Sequence, residues 1–185
     1  MHTLGWHWTL NYAHYLFALA GLVSTFTDLK RQKIYNVITL PTLLLGLMLN
    51  TFQFGLSGLG TSLVGLCVAT GVYLILGLMG AMKGGDLKLA AAMGACLGWP
   101  LTLGALFYGF ILGGLLAVIW ATVHGTLVAS LRKVGFSLFA RLTPGMQAEL
   151  ELSESASPPM PYGGAIALGG ILAQWCIPAA YLPGL

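Results

Sequence analysis

Apolar stretches separated by short polar segments dominate the pattern along this chain. A helix needs about 20 predominantly apolar residues to cross the roughly 30 Å hydrocarbon core of a bilayer, and most of these stretches are close to that length. The pattern predicts six spans, at Trp6–Thr27, Val37–Phe54, Thr61–Met82, Leu87–Leu97, Leu101–Val123 and Tyr162–Tyr181. Because the fourth span is short, we expect the bilayer to thin around it or neighbouring helices to screen its ends.

Composition agrees with this pattern. Hydrophobic residues make up 57% of the chain and charged residues only 7%, which is typical of a polytopic membrane protein. We therefore predict an all-α fold in which residues 1–185 form a single membrane domain. Basic residues in such a chain usually set its topology, so nucleic-acid binding is not indicated. The three cysteines and four histidines are scattered, so no disulfide framework, metal site or cofactor is predicted.

The positions of the charges predict the topology. Every lysine, arginine, aspartate and glutamate lies in one of three loops, at about residues 28–36, 83–88 and 124–161. The positive-inside rule places these loops in the cytoplasm and both termini on the extracytoplasmic side. Within the third loop, Leu131–Leu142 has the pattern of a surface amphipathic helix, and Glu149–Pro161 reads as a polar loop.

Two aspartates stand at the cytoplasmic ends of predicted spans. Asp28 follows the first apolar stretch, and Asp86 lies between the third and fourth. Ionisable groups at such places are candidates for function by default. If helix packing brings the two carboxyl groups together, they cannot both ionise at neutral pH, and the pair shares a proton. Such a pair suits peptide hydrolysis, with one partner as base toward a water and the other as acid toward the scissile carbonyl oxygen.

The surroundings of these aspartates allow a functional and a structural interpretation. Gly84 and Gly85 would let an extended substrate backbone approach Asp86. A single aspartate at the end of a span, however, is more often a helix cap or a solvated group. The basic residues near the pair are most simply anchors to lipid phosphate, namely Lys30, Arg31, Lys33 and Lys88.

Two short motifs resemble the signature regions of the type IV prepilin peptidases, which are membrane aspartic peptidases. The first is Asp28 followed by Lys30-Arg31, Lys33-Ile34 and Asn36, and the second is Gly85-Asp86-Leu87-Lys88-Leu89 followed by Gly94 and Gly98. A third segment, Tyr162-Gly163-Gly164-Ala165-Ile166-Ala167, is similar to the final span of that family. The resemblance extends from about Ala20 to Ala173.

This resemblance implies a function and a set of site residues. The catalytic pair would be Asp28 and Asp86, and the substrate-binding or supporting residues would be Gly84, Gly85, Lys88 and Asn36. The implied substrates are pilin-like precursors, cut at the cytoplasmic face of the bacterial inner membrane after a short basic leader that ends in glycine. No cofactor is implied, and membrane lipid is the other expected partner.

The chain departs from the family pattern at two positions and lacks one segment. Tyr35 stands where the family has proline, and Lys83 stands where it has the first glycine of Gly-x-Gly-Asp. The cytoplasmic insertion with paired CxxC motifs that accompanies methyl transfer is missing. The chain therefore resembles the stand-alone peptidase form of Flp/Tad-type pilus systems, and methyltransferase activity is not expected.

Two other functions fit the same pattern. A non-catalytic scaffold for pilus assembly would keep the fold and differ from the enzyme only in activity. A small proton- or cation-coupled transporter would use Asp28 and Asp86 as its ion site. Transport sites favour acids near the membrane midplane, whereas these two lie at one edge, which counts against a transporter. The oligomeric state stays open.

Overall fold

The computed structural model describes residues 11–79, 82–125 and 162–176. Its helices are α1 (Tyr12–Arg31), α2 (Asn36–Leu78), α3 (Gly84–Leu97), α4 (Leu101–Val123) and α5 (Gly163–Cys176). These described residues contain no strand, which confirms the all-α prediction for this part of the chain. By length and apolar composition, α2 and α4 are candidate membrane spans. The predicted surface helix, the polar loop after it and both chain termini lie outside the described residues.

The helix α2 consists of two arms, residues 36–54 and 56–78, joined at Gly55. Gly55 has a φ of 64° and a ψ of −147°, a backbone conformation that glycine adopts readily. The chain reverses there, because Asn50 Nδ2 donates to Ser62 Oγ over 2.7 Å, whereas the same two residues in a straight helix would be about 18 Å apart. The arms correspond to the second and third predicted spans. The sequence pattern left residues 55–60 as the turn between these two spans, but the turn is shorter, since helix continues almost to Gly55 from both sides.

The short helix α3 lies at the centre and contacts α1, α2 and α5. It spans 14 residues, or about 21 Å, which is less than the thickness of a hydrocarbon core. Its side chains from Leu89 to Met93 are largely buried by the surrounding helices. Glycines allow the backbones of α2 and α3 to approach closely, because a Cβ on Gly65 of α2 would lie 2.5 Å from the carbonyl oxygen of Gly94 in α3.

A buried polar cluster holds the helices together at one end. Asn50 is its centre, and besides Ser62 it contacts the carbonyl oxygen of Ala95 at 3.1 Å. Asn11 Nδ2 donates to Asn50 Oδ1 over 3.2 Å. Because Asn11 precedes α1 and Ala95 is near the end of α3, the Asn50 cluster ties α1, both arms of α2 and α3 at the end opposite Asp28 and Asp86.

The end of α1 and the starts of α2, α3 and α5 lie together at the end of the bundle opposite the Asn50 cluster. Gln32 terminates α1 in the left-handed conformation, with a φ of 51°, and its N–H donates to the Asp28 carbonyl oxygen over 2.7 Å. Asp28 therefore lies in the last turn of α1, whereas the sequence pattern predicted that the span ends at Thr27. The helix extends further because the positive charges of Lys30 and Arg31, in its last turn, interact favourably with the negative end of the helix dipole.

The chain divides into two compact units, Met1–Gly113 with Pro161–Leu185, and Gly114–Met160. Apart from the end of α4, the residues described so far belong to the first unit. In the second unit, the described residues are the last turns of α4 and a turn at Gly125, and α4 begins and ends at the residues predicted for the fifth span. His124 Nδ1 lies 2.8 Å from the carbonyl oxygen of Trp120, and the rings of the two residues have their centroids 4.5 Å apart with their planes tilted by 34°. The single domain predicted for residues 1–185 stays a prediction.

Candidate active site

A pocket of about 310 Å³ opens where α1 ends and where α2 and α3 begin. It contains both aspartates that the sequence singled out, each contributed by a different helix. The residues that line it are Asp28, Gln32, Lys33, Ile34, Tyr35, Asn36, Lys83, Gly85 and Asp86. Four of the six predicted site residues therefore line one pocket, and the other two, Gly84 and Lys88, lie in α3 beside it.

Asp28 is buried, with 5% of its surface exposed, and it caps a distant helix. Its Oδ2 accepts the backbone N–H of Gly163, the first residue of α5, over 2.9 Å. This N–H is one of those at a helix start that have no partner within their own helix. A carboxylate is favoured there by the positive end of the helix dipole. Asp28 is therefore fixed by a residue that the sequence analysis did not place in the site.

Asp86 is equally buried and caps its own helix. Its Oδ2 accepts the backbone N–H of Lys83, the residue before α3, over 3.1 Å. Burial raises the pKa of Asp86 to about 6, and the charge of Asp28 acts in the same direction, while the backbone N–H and the charge of Lys83 act against them. A carboxyl group with a pKa near neutrality is suited to donate a proton at physiological pH.

Ile34 fills the space between the starts of two helices. A Cβ on Gly85 would lie 3.1 Å from Ile34 Cβ, and a Cβ on Gly163 would lie 3.1 Å from Ile34 Cδ1. Packing against Ile34 therefore explains why glycine stands at both positions. At Gly84, by contrast, an added Cβ would meet nothing within 4 Å, so the packing around it does not require glycine. Gly163 and Ile34 lie in segments that resemble the family's motifs, and this resemblance was the only feature of the sequence that pointed to a role for either residue.

Two of the four predicted supporting residues, Lys88 and Asn36, contact each other. Lys88 Nζ donates to Asn36 Oδ1 over 2.8 Å, which joins α3 to the first residue of α2. Lys88 is exposed and does not line the pocket, whereas Asn36 does.

Neither departure from the family pattern disturbs the backbone. Tyr35 has a φ of −86° and Lys83 a φ of −90°, and both are extended residues that precede a helix. A negative φ of this size is open to any residue, so Lys83 needs no glycine at its position. Tyr35 OH accepts a hydrogen bond from Arg31 Nη1 over 3.4 Å, a contact that proline could not make.

These observations describe a helical membrane protein that holds two buried carboxyl groups in one pocket at its edge. Within residues 11–79, 82–125 and 162–176, no group of three or more His, Cys, Asp or Glu side chains is arranged to hold a metal ion.

Comparison with known families places this site in a known context. The model of the type IV leader peptidase family matches residues 15–118, a stretch that includes both aspartates. The chain belongs to this family, which confirms the resemblance found in the sequence. It is accordingly a leader-peptidase-like protein and a member of the hydrolases. Searches of curated proteins and of solved structures found no significant match.

Proposed function

We propose that this protein is an aspartic endopeptidase that removes the leader peptide from type IV pilin-like precursors. The observation that supports this most directly is the meeting of Asp28 and Asp86, from different helices, in one pocket. Membership of the leader peptidase family supplies the reaction class.

The two carboxyl groups divide the work of hydrolysis. The ionised partner takes a proton from a water, and the resulting hydroxide adds to the scissile carbonyl carbon while the protonated partner gives its proton to the carbonyl oxygen. The tetrahedral intermediate then collapses: the C–N bond breaks, the proton taken from water passes to the leaving amine, and one hydroxyl of the intermediate returns a proton to the carboxylate that gave it as the C=O bond re-forms. A water occupies about 30 Å³ in the liquid, so a pocket of about 310 Å³ has room for the water and a short peptide segment.

The predicted topology gives the substrate its orientation. In this proposal six spans cross the bacterial cytoplasmic membrane, both termini are extracytoplasmic, and the pocket faces the cytoplasm. Lys30, Arg31 and Lys33 follow Asp28, and Lys83 and Lys88 flank Asp86, so basic residues surround the site end as the positive-inside rule expects. The apolar helix of a precursor lies in the bilayer beside the bundle, and its leader stays in the cytoplasm. The cleavage junction between them then reaches the pocket.

A second function is favoured by one specific observation. Both aspartates accept a backbone N–H at a helix start, Asp28 from Gly163 and Asp86 from Lys83. Such caps are useful to a protein with no catalytic activity, since losing one typically costs about 1 kcal/mol of stability. The same two carboxylates would therefore also be kept in a pilus-assembly scaffold.

Asparagine substitutions separate these two functions, because asparagine can still accept the capping hydrogen bond but cannot transfer the proton. We would co-express a pilin precursor with the wild type, Asp28→Asn and Asp86→Asn, and measure leader removal as a mobility shift. Membrane abundance is measured in parallel, with Asp28→Ala as the variant that loses both the cap and the acid.

If the protein is an endopeptidase, both asparagine variants should reach wild-type abundance and lose cleavage. Cleavage that survives in either asparagine variant would rule out the aspartate pair. A wild type that cuts no precursor, with abundance lowered in the alanine variant alone, would support the scaffold.

A further inference from the structure

The hydrogen bond between Gly163 and Asp28 joins the first and last described helices at the pocket. The two residues are 135 positions apart, so local chain geometry does not produce the contact. Both are buried. A buried donor at 2.9 Å fixes one oxygen of the carboxyl group and so fixes the direction in which the other oxygen points.

Asp28 lies where its own helix disfavours a negative charge and where the start of a second helix favours one. Asp28 lies in the last turn of α1, where the negative end of the helix dipole disfavours a carboxylate. The start of α5 supplies the compensating positive end together with the Gly163 N–H. Asp86 lies in the first turn of α3, where burial and the charge of Asp28 raise its pKa to about 6 although the Lys83 N–H and the Lys83 charge act against them. The two carboxyl groups are therefore placed in unequal environments.

We propose that the backbone N–H of Gly163 is a positioning group for hydrolysis, which holds Asp28 as the proton acceptor of the pair and leaves Asp86 as the proton donor. This inference rests on the function proposed above and assigns the two roles within it.

Glycine at position 163 allows the donor to come this close. A Cβ there would lie 2.9 Å from Asp28 Oδ2 and 3.1 Å from Ile34 Cδ1, so a side chain would push the carboxyl group away from the N–H. The other titratable or charged groups that line the pocket are Asp86, Lys33, Lys83 and Tyr35, and Tyr162 interacts with Asp86 from the start of α5. Tyr73 of α2 interacts with Asp86 as well.

The test replaces Gly163 by glycolic acid during cell-free synthesis of the full chain into nanodiscs and compares this ester variant with the wild type made in the same way. The ester oxygen removes the N–H without adding an atom. Gly163→Ala is measured beside it, because it keeps the N–H but its Cβ displaces the Asp28 carboxyl group. The measurement is leader cleavage of a purified precursor, with kcat and KM determined across about pH 5 to 9.

We expect the kcat of the ester variant to be about 10–100-fold lower than that of the wild type, because a hydrogen bond to a charged group is lost. KM should change little, since the precursor does not contact the buried N–H. The acidic limb of the pH–rate profile should move to higher pH, because losing a hydrogen-bond donor destabilises a carboxylate relative to its protonated form. A purely structural contact would lower abundance or thermal stability without moving this limb.

Equal kcat values and equal acidic limbs for the ester variant and the wild type would overturn the inference. Asp28→Asn is measured beside them. If it still cleaves, the proposed function has failed, whereas if it is inactive while the ester variant matches the wild type, only the role of Gly163 has failed.

Discussion

Lys88 Nζ donates to Asn36 Oδ1 over 2.8 Å, and this hydrogen bond joins the second turn of α3 to the first residue of α2. Asn36 lines the pocket, and Lys88 follows Asp86 by two residues. The contact therefore links the helix that carries one aspartate to the segment that follows the other. Its contribution to stability is small, since both side chains are exposed, so its effect should appear mainly in the position of the two carboxyl groups.

Substitutions Lys88→Met and Asn36→Ala should each lower leader cleavage a few-fold, and the double variant should be no worse than either single one. A shared contact produces this non-additivity, and the coupling in the activation free energy for cleavage should be about 0.5 kcal/mol. The measurement is a double-mutant cycle on kcat/KM. Lys30→Met is the control, because its ammonium lies 4.3 Å from the Phe26 ring centroid and does not line the pocket. Additive losses that deepen when anionic lipid is removed would instead mark Lys88 as a lipid anchor.

The pKa of Asp86 predicts a pH-dependent stability. Its pKa is raised by burial from 3.8 to about 6 in the folded protein. The folded state thus holds a proton that the unfolded chain has released, so this group's stabilising contribution is complete below about pH 4 and is lost as the pH rises through 6. Asp86→Asn removes this dependence while keeping an acceptor for the Lys83 N–H.

We expect the thermal midpoint of Asp86→Asn to exceed that of the wild type above pH 6, by an amount equivalent to on the order of 2 kcal/mol. The difference should shrink toward zero near pH 4, which serves as an internal control. Melting curves of both proteins in the same detergent between about pH 4 and 8 check this expectation. A constant difference across that range would contradict a raised pKa for Asp86.

Lys83 provides a way to move this pKa without changing the carboxyl groups. Its charge lowers the pKa of Asp86, so Lys83→Met should raise that pKa and move the alkaline limb of the cleavage profile to higher pH. Because Lys83 is exposed, the shift should be a few tenths of a unit and should disappear at about 1 M salt. Lys83→Arg keeps the charge and should leave the limb in place. An unchanged limb for methionine at low salt would show that the charge does not reach Asp86.

The sequence predicted those parts of the structure that depend on local pattern. The bounds of α4 were predicted correctly, because one uninterrupted apolar stretch defines that helix. The reversal at Gly55 was predicted as a longer turn, since several glycines and polar residues around it looked equally suited to a turn. That the two aspartates lie in one site was a hypothesis, based on the positions of the charges along the chain and on the resemblance to the peptidase family. The Gly163–Asp28 bond was missed, because a contact over 135 positions leaves no periodic signal.

The glycines before Asp86 should differ in their tolerance of alanine. A Cβ at Gly85 would lie 3.1 Å from Ile34 Cβ, which cannot move without its backbone, so Gly85→Ala should lower the free energy of unfolding by about 1–3 kcal/mol. Gly84→Ala meets open space in the first turn of α3 and should stabilise the fold by about 0.5–1 kcal/mol. Thermal midpoints of the two variants, matched in chemistry and one residue apart, test this difference.

Cleavage by the same two variants tests the role predicted for Gly84. If an extended substrate approaches Asp86 over Gly84, then Gly84→Ala should raise KM several-fold in a protein that is at least as stable as the wild type. Unchanged KM and kcat would show that no substrate backbone passes close to this residue.

The Asn50 cluster should support the fold without affecting catalysis. Asn50 is buried and bonds Ser62, Asn11 and the carbonyl oxygen of Ala95, so Asn50→Ala leaves several polar groups unpaired and should cost about 1–3 kcal/mol. Thr51→Ala is the matched control, because Thr51 bonds only the Leu47 carbonyl oxygen of its own helix. Asn50 is 14 residues from Asn36 along one arm, or about 21 Å from the pocket. The Asn50→Ala variant should therefore melt earlier yet keep the wild-type pH–rate profile below its melting temperature, and a shifted profile would mean that the two ends of the bundle are coupled.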